Sequence, residues 1–178
     1  MSETKYLKSI KTPKDLKKLS DAEIETLAAE IRDVLIETLS KNGGHLASNL
    51  GVVELTLALH SVFNSPYDHI VWDVGHQIYT HKLLTGRFEK FNTIRKQGGL
   101  SGFSRPNESE YDVFFSGHSG TALSSALGIA QAKQLKKDNS VTVAVIGDGS
   151  FTGGLVYEAI NNLGRVNGRF IVVLNENE

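Results

Sequence analysis

The segment Val141-Thr-Val-Ala-Val-Ile146, followed at once by Gly147-Asp148-Gly149, decides the predicted fold. A short, continuously apolar run that ends in a turn is typical of a strand buried on both faces. Residues 153–163 have the pattern of a helix, and Phe170-Ile-Val-Val-Leu174 predicts a second buried strand. Strands of this type joined by a helix favour parallel pairing. The sequence therefore predicts an α/β fold, with a doubly wound, mainly parallel sheet flanked by helices.

Helices are predicted on the N-terminal side of this segment. Ser20-Asp-Ala-Glu23 is a capping box, in which the serine and the glutamate satisfy free backbone N–H groups at a helix start. Apolar residues then recur at helical spacing up to Leu39, and Asn42-Gly-Gly44 supplies a stop, which predicts a helix over about residues 21–40. Residues 52–63 are apolar nearly all round and predict a buried helix.

The middle of the chain is predicted to alternate strand and helix. His69-Ile-Val-Trp-Asp73 is a strand candidate, and a helical segment follows it up to Thr85-Gly86. Residues 96–117 are rich in Gly, Ser, Pro and Asn and predict a long loop, with one strand-like patch at Tyr111-Asp-Val-Phe-Phe115. A helix of small residues is expected over about residues 119–137.

The composition excludes several classes of protein. The 178 residues carry 19 Lys plus Arg against 20 Asp plus Glu, so there is no broad basic surface to bind nucleic acid. With no cysteine, the chain has no disulfide framework, thiolate metal site or thiol nucleophile. The apolar runs are much shorter than the roughly 20 residues that cross a bilayer. The first residues lack the apolar stretch of a signal peptide, and we expect a cytoplasmic location.

Polar residues that could form a site directly follow the two predicted strands. Asp148 lies in the turn after the first strand, and Asn177 lies in Asn175-Glu-Asn177 after the second. Because parallel neighbours end at one edge of the sheet, where ligands bind, we expect Asp148 and Asn177 to meet there. Carboxylate, amide and carbonyl oxygens suit Mg²⁺. Gly149 permits close approach of backbone N–H groups, and the helix beginning near Thr152-Gly153 presents its positive end, which predicts a site for a metal and a diphosphate.

Three histidines directly follow glycines, as Gly44-His45, Gly75-His76 and Gly117-His118, and could face the same crevice. Imidazoles there could donate to phosphate oxygens or transfer protons near neutral pH. Ser119 fits the N-cap of the next helix, a second anion site. These residues alone leave the alternative open, since Gly-Asp-Gly is also a common turn, an asparagine pair often caps a helix, and the histidines could satisfy loop carbonyls only. We expect the remaining histidines to be structural: His60, His69 and His81.

The motifs resemble those of a known family. Gly147-Asp-Gly149 followed by Asn175-Glu-Asn177 resembles the motif of thiamine diphosphate enzymes. Longer strings sharpen this resemblance: Gly43-Gly-His-Leu-Ala-Ser48, Gly51-Val-Val-Glu-Leu-Thr-Leu-Ala-Leu-His60, Trp72-Asp-Val-Gly-His-Gln77, Lys82-Leu-Leu-Thr-Gly-Arg87, Gly98-Gly-Leu100, Glu108-Ser-Glu-Tyr-Asp112 and Gly117-His-Ser119. Taken in order, they resemble the first part of the transketolase-like family of 1-deoxy-D-xylulose-5-phosphate synthases, from about Tyr6 to the last residue.

The resemblance implies a role for each matching residue. Asp148 matches the magnesium ligand of the family, and Asn177 matches the second side-chain ligand, which also contacts the cofactor. His45 matches a histidine near the substrate that assists proton transfer. Positions that contact thiamine diphosphate, mostly its diphosphate side, are matched by His76, Gly117, His118, Ser119, Gly149 and Ser150. Glu176 stands where the family more often has Asp, and this position provides no side-chain ligand.

The resemblance also implies the reaction and the partners. Enzymes of this family use thiamine diphosphate and Mg²⁺ to condense pyruvate with D-glyceraldehyde 3-phosphate, releasing carbon dioxide. The product, 1-deoxy-D-xylulose 5-phosphate, feeds isoprenoid (terpenoid), thiamine and pyridoxal synthesis. A homodimer is implied for the full-length enzyme.

The length departs from the family. The resemblance implies that residues 1–178 are an incomplete N-terminal domain that binds diphosphate and Mg²⁺. The family's cofactor-activating glutamate and its arginines for the sugar phosphate lie in a second domain, and a third metal ligand is a backbone carbonyl beyond Asn177. We therefore expect an N-terminal fragment that is inactive alone. The N-terminal subunit of a split transketolase and a non-catalytic diphosphate-binding module stay open as alternatives.

Overall fold

The computed structural model describes residues 4–176, which separate into two compact units. Unit 1 comprises residues 4–64 and 76–102, and unit 2 comprises residues 65–75 and 103–176. Within residues 4–176, no helix combines the length and the apolar character that crossing a membrane requires.

Unit 1 is helical. Its α-helices are α1 (Pro13–Leu16), α2 (Asp21–Asn42), α3 (Leu46–Leu50), α4 (Val53–Val62) and α5 (Tyr79–Lys82). Short 3₁₀-helices cover Leu7–Ser9 and Phe88–Thr93, and a π-helical turn covers Leu83–Arg87. The helix predicted over residues 21–40 is confirmed with two further residues at its C-terminal end. The helix predicted over residues 52–63 is confirmed as α4, but its predicted burial is only partly correct, because Ala58 and Val62 are exposed.

The capping box accounts for the start of α2. The Glu23 carboxylate accepts hydrogen bonds from the backbone N–H and the hydroxyl of Ser20, at 2.8 and 2.9 Å. At the other end, Gly43 adopts a φ of 70°, and its N–H donates to the Leu39 carbonyl. A positive φ is readily adopted by glycine, which explains why the helix stops there.

The first residues belong to the core of unit 1. Glu30, buried on α2, accepts backbone hydrogen bonds from Lys5, Tyr6 and Leu7, so its carboxylate satisfies the free N–H groups at this 3₁₀-helix. Leu7, Ile10 and Leu16 are almost fully buried. The first residues are therefore hydrogen-bonded to α2 and contribute side chains to the core of unit 1.

Unit 2 contains the parallel sheet. Its elements are β1 (His69–Trp72), α6 (Ala122–Leu135), β2 (Thr142–Gly147), α7 (Asp148–Phe151), α8 (Gly154–Leu163) and β3 (Phe170–Asn175). The strand order is β1-β2-β3, and both pairs are parallel, with Val71 opposite Ala144 and Ala144 opposite Val172. The predicted parallel sheet flanked by helices is confirmed. Its core contains Val71, Ala122, Leu123, Ala126, Ala144, Ile146, Val156 and Ala159.

Two predicted elements of unit 2 differ from the structure. The helix predicted over residues 119–137 begins at Ala122, because Asp73 binds the backbone N–H groups just before and at its start. The strand-like patch at 111–115 is a loop. Here Asp112 accepts from the Arg105 N–H, and Ser104 donates to the Phe114 carbonyl, so the backbone is held by side chains rather than by a neighbouring strand.

The predicted burial of β3 was also wrong. Ile171 and Leu174 are 40% and 47% exposed, whereas Val143 to Ile146 of β2 are fully buried. Among the described residues, β3 pairs only with β2 and forms an edge of the sheet. Edge position alone does not explain this, because within the same residues β1 also pairs only with β2 and its residues Ile70–Trp72 are buried. The side chains of β3 are less covered by the rest of the described residues, although the two strands have the same apolar sequence pattern.

Candidate functional site

The carboxyl ends of β2 and β3 lie side by side in unit 2. Gly147 is opposite Asn175 in the parallel register, and Asp148 is the first residue of α7. Asp148 is exposed and Ser150 is half-buried, so the Asp148 carboxylate is accessible to solvent at this end of the sheet. The second predicted metal ligand, Asn177, lies outside the described residues. Asp148 therefore lies at the carboxyl end of β2, while its role as a metal ligand and its meeting with Asn177 stay predictions.

Space is available beside this carboxylate. A Cβ atom built on Gly147 or on Gly149 would have no heavy atom of the described residues within 4 Å. The backbone of the turn thus faces an open volume that a bound group could enter. Carboxylate oxygen is a hard ligand, which suits Mg²⁺. Within residues 4–176, no three His, Asp or Glu side chains group as a metal site, so any cation held here also needs amide, backbone or external oxygens.

The Gly117–Gly120 loop lies near the first turn of α8, within unit 2. A Cβ atom built on Gly120 would be 3.6 Å from Val156 and 3.8 Å from Leu155. His118 and Ser119 are exposed on this loop, and the His118 carbonyl accepts a hydrogen bond from the Thr121 hydroxyl at 3.0 Å. Gly120, which directly follows two predicted diphosphate-binding residues, thus lies close to the first turn of a ten-residue helix, whose N-terminal end is positive.

Ser119 does not cap α6, contrary to the sequence-based expectation. The N-cap position is Thr121, and the free N–H groups of Gly120 and Ala122 donate to the two carboxylate oxygens of Asp73 at 2.9 and 3.0 Å. Asp73 is only 1% exposed. An internal carboxylate therefore already compensates the positive end of α6, so the second predicted anion site is filled by the protein itself.

Asp73 is the residue that the sequence interpretation missed. It follows β1 directly, within the quoted string Trp72-Asp-Val-Gly-His-Gln77. A lone acidic residue at the end of a buried strand was the available signal, because a buried carboxylate requires hydrogen-bond donors. Val74, the next residue, has a φ of 57°, a left-handed conformation that is rare and strained for a β-branched side chain.

Two of the predicted histidines meet in unit 1. The ring centroids of His45 and His76 are 5.4 Å apart, with the ring planes at 74°. His45 is exposed and His76 is half-buried. The side-chain amide of Asn49 donates to the carbonyls of both residues, at 2.7 and 2.8 Å. The structure thus brings together two residues that are far apart in sequence, in a pair that solvent can reach.

The histidines expected to be structural are in or near the core. His60 and His81 are fully buried, with His60 Nε2 and His81 Nδ1 2.9 Å apart. Burial, followed by the nearby charges of His81, Lys17 and Arg87, lowers the pKa of His60 well below its usual value. Burial also lowers the pKa of the half-buried His69. Two buried imidazoles within hydrogen-bond distance of each other are consistent with a packing role.

Known proteins resemble this chain closely in sequence. The family model for 1-deoxy-D-xylulose-5-phosphate synthase matches residues 7–178. The 1-deoxy-D-xylulose-5-phosphate synthase of Heliobacterium modesticaldum is 58% identical over 175 residues, which cover 98% of this chain and 27% of the relative. The enzyme of the same name from Dictyoglomus thermophilum is 59% identical over 172 residues, which cover 97% of this chain and 28% of the relative.

A solved structure has the same fold. Transketolase from Leishmania mexicana superimposes with a TM-score of 0.75 over 86% of this chain and 27% of the transketolase chain. The sequence identity of the pair is 19%, so the likeness concerns the fold. It agrees with the α/β arrangement of a thiamine diphosphate-binding fold.

Proposed function

This chain belongs to the 1-deoxy-D-xylulose-5-phosphate synthase family, and from that membership we propose that the protein carrying it condenses pyruvate with D-glyceraldehyde 3-phosphate. The products are 1-deoxy-D-xylulose 5-phosphate and carbon dioxide, for isoprenoid and thiamine biosynthesis. The chain spans 27–28% of the length of these curated relatives, so the activity is proposed for the whole protein. The observation that carries the proposal is 58% identity over 98% of this chain.

The proposed cofactor is thiamine diphosphate with Mg²⁺. Bound thiamine diphosphate would supply the electron sink that decarboxylation of pyruvate requires. Asp148 would hold the metal, with Asn177 as a second ligand. The open space at Gly149 supports this proposal, because it leaves room for the diphosphate. The other proposed contacts of the cofactor are His76, Gly117, His118, Ser119 and Ser150.

His45 is the proposed catalytic residue of this chain. Its imidazole is exposed and could take up or release a proton on a bound substrate. The His76 ring, 5.4 Å away and half-buried, is better suited to a fixed contact with the cofactor. The two neighbouring imidazoles would therefore divide the roles of proton transfer and binding.

The remaining proposals concern the context of the enzyme. We propose a cytoplasmic homodimer, for which the apolar side chains exposed on unit 2 offer support. The exposed set contains Phe115, Leu155, Tyr157, Ile171 and Leu174. We also propose that residues 1–178 alone do not turn over substrate, because the family resemblance assigns cofactor activation to a second domain.

The test combines activity with cofactor binding. The whole protein should form 1-deoxy-D-xylulose 5-phosphate and carbon dioxide only with thiamine diphosphate and Mg²⁺ present. Asp148→Ala should weaken Mg²⁺-dependent binding of thiamine diphosphate by about tenfold or more, because a carboxylate ligand is lost. Asp33→Ala, which removes an exposed carboxylate of α2, is the matched control and should bind normally.

Three outcomes would contradict parts of the proposal. Calorimetry of the whole protein that finds tighter binding of ATP with Mg²⁺ than of thiamine diphosphate with Mg²⁺ would favour a nucleotide-binding module instead. Unchanged cofactor affinity in Asp148→Ala would remove this residue from the metal site. Condensation by residues 1–178 alone, at the rate of the whole enzyme, would contradict the need for a second domain.

A further inference from the structure

Asn49 is a fully buried amide that connects three backbone groups in two segments of unit 1, residues 45–49 and 76–79. Its Nδ2 donates to the His45 carbonyl at 2.7 Å and to the His76 carbonyl at 2.8 Å. Its Oδ1 accepts from the Tyr79 N–H at 2.9 Å, and its side chain is 0% exposed. Each polar group of the amide thus has a partner.

The partners also determine which way the amide faces. Two of them are carbonyl oxygens and one is an N–H group, so only one orientation of the amide satisfies all three. The opposite orientation would place Oδ1 against the two carbonyl oxygens. A buried polar group that loses its hydrogen bonds costs about 1–3 kcal/mol, and this cost keeps the arrangement in place.

The Tyr79 side chain lies next to the turn that precedes His45. The Tyr79 side chain is fully buried, and its hydroxyl would lie 3.1 Å from a Cβ atom built on Gly44. Gly44 has a φ of 138°, so both its conformation and its lack of a side chain suit this close approach. Asn49 therefore bonds the His45 carbonyl directly and also bonds the backbone of Tyr79, whose side chain lies next to the preceding Gly44.

We infer that Asn49 is a positioning residue that sets the separation and mutual orientation of the His45 and His76 rings. His76 lies 27 residues from Asn49, so local helix geometry cannot hold the two histidine backbones in register. The Asn49 side chain holds the two backbones together, because it donates to the carbonyls of both histidines. The catalytic consequence rests on the proposed function, in which His45 transfers protons and His76 contacts the cofactor, whereas the geometric role does not.

The decisive variant is Asn49→Asp in the whole protein. Aspartate keeps the shape and the acceptor for the Tyr79 N–H, but it turns oxygen toward two carbonyl oxygens. Should this variant not fold, Asn49→Ala removes the same donors without adding charge. Thr56→Val is the matched control, because it deletes a buried hydrogen bond of α4, from the Thr56 hydroxyl to the Val52 carbonyl, that touches neither histidine.

The first readout is the NMR spectrum of the histidine rings, recorded without cofactor. The ¹³Cε1–¹H signals of His45 and His76 should shift in the Asn49 variants, while those of His60 and His81 stay in place. Thr56→Val should move neither of the first two signals. Unmoved His45 and His76 signals in a folded Asn49 variant, or an equal shift in Thr56→Val, would overturn the inference.

The second readout is the steady-state condensation reaction at saturating thiamine diphosphate. A misplacement of about 1 Å at a reacting group can cost on the order of 100-fold in rate, so kcat should fall about 10- to 100-fold in Asn49→Asp. The Thr56→Val enzyme should keep its kcat. A wild-type protein without condensation activity would contradict the proposed function, and the ring signals would still decide the role of Asn49.

Discussion

His45 and His76 differ in exposure although their rings are neighbours. His45 is exposed to solvent and His76 is half-buried, so in the proposed function His45 is the ring that a substrate would reach. We therefore expect His45→Ala to lower kcat by about 10²-fold or more, the range typical of a lost acid–base group. Its affinity for thiamine diphosphate should change much less.

Calorimetry and steady-state kinetics separate these two effects. His76→Ala provides the comparison, since it should weaken cofactor binding more than His45→Ala does. Weak binding with normal turnover at saturating cofactor in His45→Ala would reassign this residue to binding.

The buried His60 predicts how stability depends on pH. Its folded-state pKa is lowered by burial, so below pH 6.5, the ordinary value, the unfolded chain binds a proton that the folded chain excludes. The stabilisation is complete above this pH and decreases as the pH falls toward the folded-state pKa. One such proton changes the free energy of unfolding by up to about 1.4 kcal/mol per pH unit.

Urea unfolding at pH 7.5 and 5.5 measures this dependence. His60→Gln should reduce the difference between the two pH values, because glutamine does not titrate. Thr56→Val on the same helix should lower stability at both pH values and keep the wild-type difference. An undiminished difference in His60→Gln would assign the pH dependence to other groups.

At the level of the element, the start of α6 depends on a residue from another part of the chain. Asp73 lies 47 and 49 residues before the two N–H groups that it binds. Asp73→Asn should lower the free energy of unfolding by about 2 kcal/mol, because the charge at the positive helix end and one of two acceptors are lost. Urea denaturation measures this change.

Hydrogen exchange adds a local test of the same substitution. Protection of the first turn of α6 should fall more than protection of the rest of that helix. Asp33→Asn, on the exposed side of α2, should change neither quantity. Equal stability of Asp73→Asn and the wild type would show that the helix start does not need this carboxylate.

At the level of the whole molecule, the edge strand β3 is the exposed part of the sheet. Within residues 4–176 its outer side pairs with no other strand, and Ile171 is 40% exposed. Free strand edges with apolar side chains favour association. We expect residues 1–178 to self-associate as concentration rises, and Ile171→Lys to reduce this association at least severalfold.

Sedimentation velocity measures the association. Val62→Lys is the matched control, because Val62 is 68% exposed but lies on α4 rather than on the sheet. Equal association of the wild type and Ile171→Lys would exclude β3 as the contact surface.

Local patterns in the sequence predicted most elements, for reasons that are visible in the structure. The capping box and the glycine stop bound α2 because both act within one helical turn of the helix ends. The parallel pairing of β2 and β3 followed from two apolar runs joined by a helix. The start of α6 and the exposure of β3 were missed because distant partners determine both.

The sequence by itself determined the family, the parallel α/β sheet and the position of Asp148 after β2, because these depend on motifs and on local periodicity. The tertiary structure alone decided that Asp73 compensates the positive end of α6 and that Asn49 joins the His45 and His76 backbones. The physical reason is that buried polar groups must find hydrogen-bond partners wherever the folded chain brings them. Sequence spacing does not contain that information.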